Sequence, residues 1–190
     1  MKRNLITAIL MTMVTTVLLG IIYPLLITLL AQGLFHDKAN GQLIARNGNV
    51  IGSRIIGQPF VSEAYFHSRP SAAGNGYDAA NSSASNLGPT NHTLIDRVDA
   101  SVAQYKAENP TQPVPIDLVT TSGSGLDPHI TPAAAIFQIA RVAKSRGMTE
   151  AQLRLLVAKH TEGRQLGFLG EPRVNVLELN LELDSIAAKK

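Results

Sequence analysis

Between Leu5 and Phe35 the chain carries no charged side chain: LITAILMTMVTTVLLGIIYPLLITLLAQGLF. About 20 apolar residues cross the hydrocarbon core of a bilayer, so this run is long enough to span it with some tilt. A cleaved signal peptide is the rival reading, because Ala31-Gln32-Gly33 places small residues at cleavage-site spacing. Signal peptides have apolar regions of about 7–15 residues, however, and this run is far longer, which favours a retained anchor. Lys2 and Arg3 precede the run, whereas His36, Asp37 and Lys38 follow it with little net charge. Basic flanks stay in the cytoplasm. The expectation is therefore a short cytoplasmic N-terminus over 1–6, a transmembrane helix over 7–30, and residues 31–190 outside, the periplasm where an outer membrane exists.

One face of that helix is small. Ala8, Thr12, Thr16 and Gly20 recur at steps of four, followed in register by Pro24 and Thr28. Such a stripe lets another helix approach closely, and in lipid packing and hydrogen bonds must drive association. Pro24 should kink the helix and free a carbonyl. With one span in the chain, the stripe points to another protein or another copy. The null is compositional, since Ala, Thr and Gly are common in membrane helices.

The remaining composition narrows the classes. The chain has 190 residues, a net charge of +3, five per cent aromatic residues, no tryptophan and no cysteine. No dense basic stripe appears, so nucleic acid is set aside as a partner. The missing cysteines remove thiol nucleophiles, zinc–thiolate sites and disulfides together.

Residues 42–56 read as a hairpin turning at Asn47-Gly48, a pair suited to the positive φ angles of a tight turn, with Gly52 and Gly57 at bulges or close approaches. Residues 68–91, SRPSAAGNGYDAANSSASNLGPTN, form a long polar loop, read as an ordered binding loop against the alternative of a flexible linker. Asn91 caps a helix with Leu94, Val98, Val102 and Tyr105 on one stripe, ending at Asn109-Pro110. Val114 to Val119 reads as a short strand. Thr131 and Pro132 open a helix running to about Arg146, with Ile136, Ile139, Ala140 and Ala143 facing inward and Gly147 closing it. Thr149 and Gln152 form a capping box for a further helix carrying Leu153, Leu156, Val157 and His160. Leu177 to Asp184 alternates apolar and polar, which argues for a strand, although Leu177 and Leu181 also suit a helix. The whole is an α+β chain: one N-terminal transmembrane helix, then a single mixed domain.

The stretch from Val119 to Pro132, VTTSGSGLDPHITP, concentrates the polar chemistry. As a phosphate cradle it lacks the Walker spacing and the lysine after the glycines, leaving only a backbone nest formed by Ser122, Gly123, Ser124 and Gly125. As a catalytic cluster it offers serines with Asp127 and His129, but no strand–GxSxG–helix elbow frames them. A membrane-anchored periplasmic hydrolase with His129 as base, and a homo-oligomeric membrane scaffold, are the alternatives carried forward. The histidines are scattered, with no metal-binding pair on one element. What survives is a helix entrance with much exposed backbone, suited to docking a partner.

Several blocks, in one order, carry a resemblance: the N-terminal helix, GSRIIGQPF (52–60), YFHSRPSAAGNGYD (65–78), SNLGPTN (85–91), PVPIDLVTTSGSGLDPHITPAAA (113–135) and FLGEPRVNVLELN (168–180). Together they resemble the C subunit of the Kdp-type potassium-transporting ATPase, over nearly the full length. The resemblance implies a non-catalytic accessory subunit in the bacterial inner membrane. Its partners would be a P-type ATPase subunit, a channel-like potassium-binding subunit, a small single-span subunit and membrane lipid. It implies an assembly factor or catalytic chaperone that raises the complex's affinity for ATP, with no cofactor held tightly by this chain. The family's Ser-Gly-Gly-Ser segment stands here as Ser82-Ser83-Ala84-Ser85, without either glycine. The candidate docking residues are Ser85, Asn86, Gly88, Pro89 and Asn91 in one loop, and Ser122, Gly123, Ser124, Gly125, Asp127 and His129 in the other.

Overall fold

The computed structural model describes residues 1–187, in two compact units that divide between Ile51 and Gly52.

The first unit is dominated by one continuous helix, Lys2–Leu34, long and apolar enough to cross a membrane. It consists of α1 (Lys2–Thr15), a wider-wound segment (Thr16–Ile22) and α2 (Tyr23–Leu34). In the wide segment the Tyr23 N–H reaches the Leu18 carbonyl, five residues back rather than four. Pro24 follows immediately, and proline both lacks an N–H and crowds the carbonyl one turn earlier. A π-type turn is one way a helix re-spaces its hydrogen bonds at such a point. Ala8, Thr12, Thr16, Gly20, Pro24 and Thr28 are all exposed on this helix.

After Phe35 a single turn, α3 (His36–Ala39), is tied back to the long helix by Asn40. Its amide exchanges hydrogen bonds with Gln32 at 3.2 and 3.1 Å and donates to the His36 carbonyl at 2.7 Å. The hairpin then forms from β1 (Leu43–Arg46) and β2 (Asn49–Ser53). Asn47 and Gly48 have φ of 53° and 81°, the two positive values the turn requires. The strand stops at Ser53, earlier than expected, because the Ile56 N–H turns back to the Ser53 carbonyl.

The second unit holds α4 (His92–Glu108), α5 (Pro132–Arg146), α6 (Glu150–Lys159) and α7 (Val176–Ala187) around a three-stranded antiparallel sheet. The strands are β3 (His129–Ile130), β4 (Thr161–Glu162) and β5 (Arg173–Asn175), in the order β3-β5-β4. The register pairs Ile130 and Thr161 with Val174 from opposite sides. The helix starts follow the sequence: Asn91 accepts from Thr93 N, Thr131 from Ala134 N, and Thr149 and Gln152 make a reciprocal capping box. Gly147 ends α5 in the left-handed region, at φ 62°.

Two expectations fail for identifiable reasons, and one question left open by the sequence is answered. Residues 114–119 are not a strand but contain one 3-10 turn, Ile116–Leu118. Pro113 and Pro115 remove two ladder donors there, and buried Asp117 turns its carboxylate to accept from Thr131 N at 2.7 Å. The alternating segment after Leu177 is helical. Its buried residues Val176, Leu177, Leu179, Asn180 and Leu183 fall on one helical face, with an asparagine among the apolar side chains. On α5, Ile139 and Ala143 are buried as expected, but Ile136 and Ala140 are exposed, and Gln138 takes a core position.

Those two buried amides do the work of a strand partner. Asn180 accepts from the Phe66 N–H and donates to the Phe66 carbonyl, both at 2.9 Å. Gln138 accepts from the His67 N–H at 2.7 Å and donates to the His67 carbonyl at 3.1 Å. Extended backbone without a neighbouring strand is thereby fully paired inside the core, next to Phe66, Leu118 and Leu179.

Candidate functional site

The stretch from Thr120 to Thr131 is held from two sides. At its far end the Val176 N–H donates to the Pro128 carbonyl at 2.9 Å and β3 pairs with β5. At its centre the Gly57 N–H donates to the Leu126 carbonyl at 2.7 Å. The approach is close: a Cβ on Gly57 would lie 2.8 Å from the Asp127 carbonyl oxygen. That fulfils the close-approach reading for Gly57 in a specific way.

The long polar loop supplies the remaining braces. Arg69 reaches the Thr120 and Thr121 carbonyls and sets Nη1 3.6 Å from Asp127 Oδ2. Ser71 donates to the Gly125 carbonyl at 2.6 Å while accepting from the Tyr77 N–H at 2.8 Å. Tyr77 donates its hydroxyl to the Arg69 carbonyl, and burial pushes the phenol up to about 12. Ser82 donates to the Ser124 carbonyl at 2.9 Å and Ser83 to the Ala72 carbonyl at 2.8 Å. Gly125 has φ 68°, and a Cβ there would lie 2.6 Å from the Ser83 carbonyl oxygen and 2.7 Å from Ala73 N. Two polar segments far apart in sequence thus interlock into one surface.

Within that surface Asp127 closes a tight local turn: Oδ1 accepts from the His129 N–H at 3.0 Å and lies 3.3 Å from His129 Nδ1. Burial works to raise the Asp127 pKa, but the His129 side chain, its N–H and Arg69 outweigh it and hold the carboxyl below its usual range. Ser124 accepts from the Leu126 N–H at 3.1 Å, and Ser122 and Ser124 face each other at 3.5 Å. Among the described residues neither Ser122 nor Ser124 hydrogen-bonds to His129. Beside the turn lies a polar cleft of about 280 Å³, where Arg69, Asp117, Asp127, His129, Glu171 and Arg173 meet. No group of three or more metal-binding side chains occurs among the described residues.

The other candidate loop is built differently. Asn86 sits at φ 52° and is exposed, as are Gly88 and Pro89, while Ser85 is half-buried. Asn91 is occupied as the cap of α4. Among the described residues no hydrogen bond joins 86–91 to 122–129. Sequence reasoning passed over Arg69, Ser71 and Tyr77, which brace the site, although all three lie in the quoted block 65–78. It also passed over Gln138 and Asn180, whose signal was a lone amide on an otherwise apolar helix face.

Known proteins similar to this chain share one description. The family described as KdpC, K+-transporting ATPase, c chain, matches residues 5–185. A potassium-transporting ATPase KdpC subunit from Koribacter versatilis is 71% identical over 97% of this chain and 95% of its own length. Its counterpart from Acidobacterium capsulatum is 56% identical, covering 97% of this chain and 99% of the relative. That of Rhodospirillum rubrum is 57% identical, covering 97% and 96%. With the match spanning the long apolar helix, the interlocked loops and the final helix alike, the chain belongs to the KdpC family of K+-transporting ATPase c chains.

Proposed function

We propose that this chain is a non-catalytic accessory subunit of a potassium-uptake ATPase, anchored in the bacterial inner membrane with its N-terminus in the cytoplasm. Residues 7–30 would span the bilayer and 31–190 would lie outside. Its partners are the P-type ATPase subunit and the channel-like subunit, with a small single-span subunit beside them. The observation that carries this reading is the match to KdpC subunits of K+-transporting ATPases over nearly the whole chain. The hydrolase alternative needs a serine beside His129, whereas Ser122 and Ser124 face each other and Ser124 accepts from the Leu126 N–H.

The role in ATP use is indirect. Ser82 and Ser83 are engaged in bracing, and an external domain does not meet cytoplasmic ATP. A subunit that clamps its partners and favours one of their conformations by about 1–3 kcal/mol changes apparent affinity about 5- to 150-fold without touching nucleotide. In this scheme the small-residue stripe packs on a pump helix while 86–91 and 122–129 touch the channel-like subunit near its outer mouth. The test is mild detergent extraction of the C-terminally tagged chain with mass spectrometry of the companions. A P-type ATPase and a multi-span subunit in fixed ratio are expected; the chain emerging alone and folded would overturn the proposal. Gly20→Leu tests the stripe, since a Cβ at Gly20 meets nothing closer than Thr16 Cγ2 at 3.9 Å. It should weaken co-purification without unfolding the second unit.

A further inference from the structure

The dipeptide Asn-Gly occurs at Asn40-Gly41, Asn47-Gly48 and Asn75-Gly76. Asparagine is one of the thermolabile residues, and a following glycine exposes it most. The side-chain carbon Cγ lies within reach of the next backbone nitrogen, and glycine puts no Cβ in the way. The three pairs share that intrinsic chemistry, so only the fold can set them apart.

Two of the pairs are restrained. The Asn40 amide exchanges hydrogen bonds with Gln32 and donates to the His36 carbonyl at 2.7 Å, while the Gly41 N–H donates to the Lys38 carbonyl at 3.2 Å. The Gly76 N–H donates to the Ala73 carbonyl at 2.9 Å, which also accepts from the Asp78 N–H at 3.2 Å. Between them Tyr77 is fixed at both ends, by its N–H to Ser71 and by its hydroxyl to the Arg69 carbonyl. Asn47 has neither kind of restraint. Among the described residues its amide meets no hydrogen-bond partner and the Gly48 N–H donates to no carbonyl. The turn closes a sheet of two strands only, with Leu43 57% and Val50 61% exposed. A lone two-stranded hairpin is at best marginally stable, so local opening costs little.

We propose that Asn47-Gly48 is a self-modification site, where Asn47 converts to aspartate and isoaspartate while Asn40 and Asn75 keep their amides. In the opened hairpin the Gly48 nitrogen gives its proton to a solvent base and attacks Asn47 Cγ. A C–N bond forms, the Cγ–Nδ2 bond breaks, and ammonia leaves with a proton returned from solvent. Water then adds to either carbonyl of the succinimide ring, yielding aspartate or isoaspartate and a new negative charge. Oxidation states are unchanged, and water is the only co-reactant. In isoaspartate the backbone runs through the side-chain methylene, so the paired positive φ angles at 47 and 48 no longer close the turn. The change falls on the hairpin that follows the long helix in sequence.

The test ages the full chain in mild detergent and warm, mildly alkaline buffer. Peptide mass spectrometry with electron-transfer fragmentation then counts aspartate and isoaspartate at each asparagine. Both products should accumulate at Asn47 at least tenfold faster than at Asn40 or Asn75, and the three rates should converge in chain unfolded by guanidinium. Equal rates in the folded chain, or a lead for Asn40 or Asn75, would overturn the proposal; a gap that persists after unfolding would remove the fold as its cause. Asn47→Gly keeps a residue suited to positive φ and deletes the amide. It should abolish isoaspartate at the turn and keep hydrogen exchange at Ile44 constant with age, whereas exchange there quickens in the unsubstituted chain as product builds up. Constant exchange in both would refute the effect on the hairpin.

Discussion

Replacing Asn180 by leucine isolates the amide clamp that fixes the start of the long polar loop. Asn180 is 1% exposed and joins both backbone groups of Phe66 across 114 residues of sequence. Leucine keeps asparagine's branched shape with bulkier ends, so no cavity is left and the loss is chiefly polar. Each hydrogen bond contributes about 0.5–1.5 kcal/mol net, while each backbone group left buried and unpaired costs about 1–3 kcal/mol. Two such groups, partly offset by the apolar burial leucine adds, give an expected loss of about 2–5 kcal/mol. Against a domain stability of about 5–15 kcal/mol this is large. It corresponds to a fall in melting temperature of about 5–15 °C at this chain length. Urea unfolding of the full chain in mild detergent, followed by tyrosine near-ultraviolet circular dichroism, reads the second unit because Tyr65, Tyr77 and Tyr105 lie there. Hydrogen exchange at the Phe66 amide locates the effect. A loss below about 1 kcal/mol with unchanged exchange at Phe66 would show that the clamp is not what pairs this backbone.

Other substitutions probe the interlocked surface and its supports. Gly125→Ala should destabilise the second unit by about 2–4 kcal/mol, since a side chain at φ 68° is strained and its Cβ collides with two backbone atoms; a melting temperature unchanged in thermal unfolding would contradict the packing described. Asp127 has a folded pKa lowered from 3.8, so its contribution is complete above that value and lost as pH falls through the folded one. Unfolding measured from pH 7 down to pH 2 should therefore show an acid-side loss below about pH 4 that is smaller in Asp127→Asn, and identical slopes would refute the assignment. Thr149→Ala removes one half of the capping box and should cost about 1 kcal/mol in the same measurement, with α6 exchanging faster at its first turn.

Local chemistry was legible wherever one residue type solves one local problem. Asn47-Gly48, Asn91, Thr131-Pro132, Gly147 and the Thr149–Gln152 pair each fix a turn or a helix end through their own backbone demands, and each stands where the sequence placed it. The apolar run from Leu5 was equally plain, because length and lack of charge are one-dimensional quantities. What failed was the judgement about which face of α5 is buried, and what stayed open was the state of the segment after Leu177. On α5 and α7 a buried Gln138 and Asn180 interrupt the apolar stripe, and their partners lie 71 and 114 residues away. Nothing local announces such a partner. Proline spacing around Ile116 was visible, but the β-branched and apolar residues beside it outweighed the missing donors. The hydroxyls near Ser124 were conspicuous in the sequence, whereas the dependence of that stretch on Arg69, Ser71 and Ser82 required the two loops to be seen together.

The strand order β3-β5-β4 has a consequence for how the chain is made. The strand at the centre of the sheet is the last of the three to be synthesised, so β3 and β4 have no common neighbour until residue 175 has emerged. Until then the Pro128 carbonyl lacks its Val176 donor and the far end of the loop surface is unanchored. Non-local pairing of this kind closes late in folding, after the intervening chain has been delivered. A partly translated chain that stops before residue 176 therefore leaves the loop surface braced at its centre and loose at its far end.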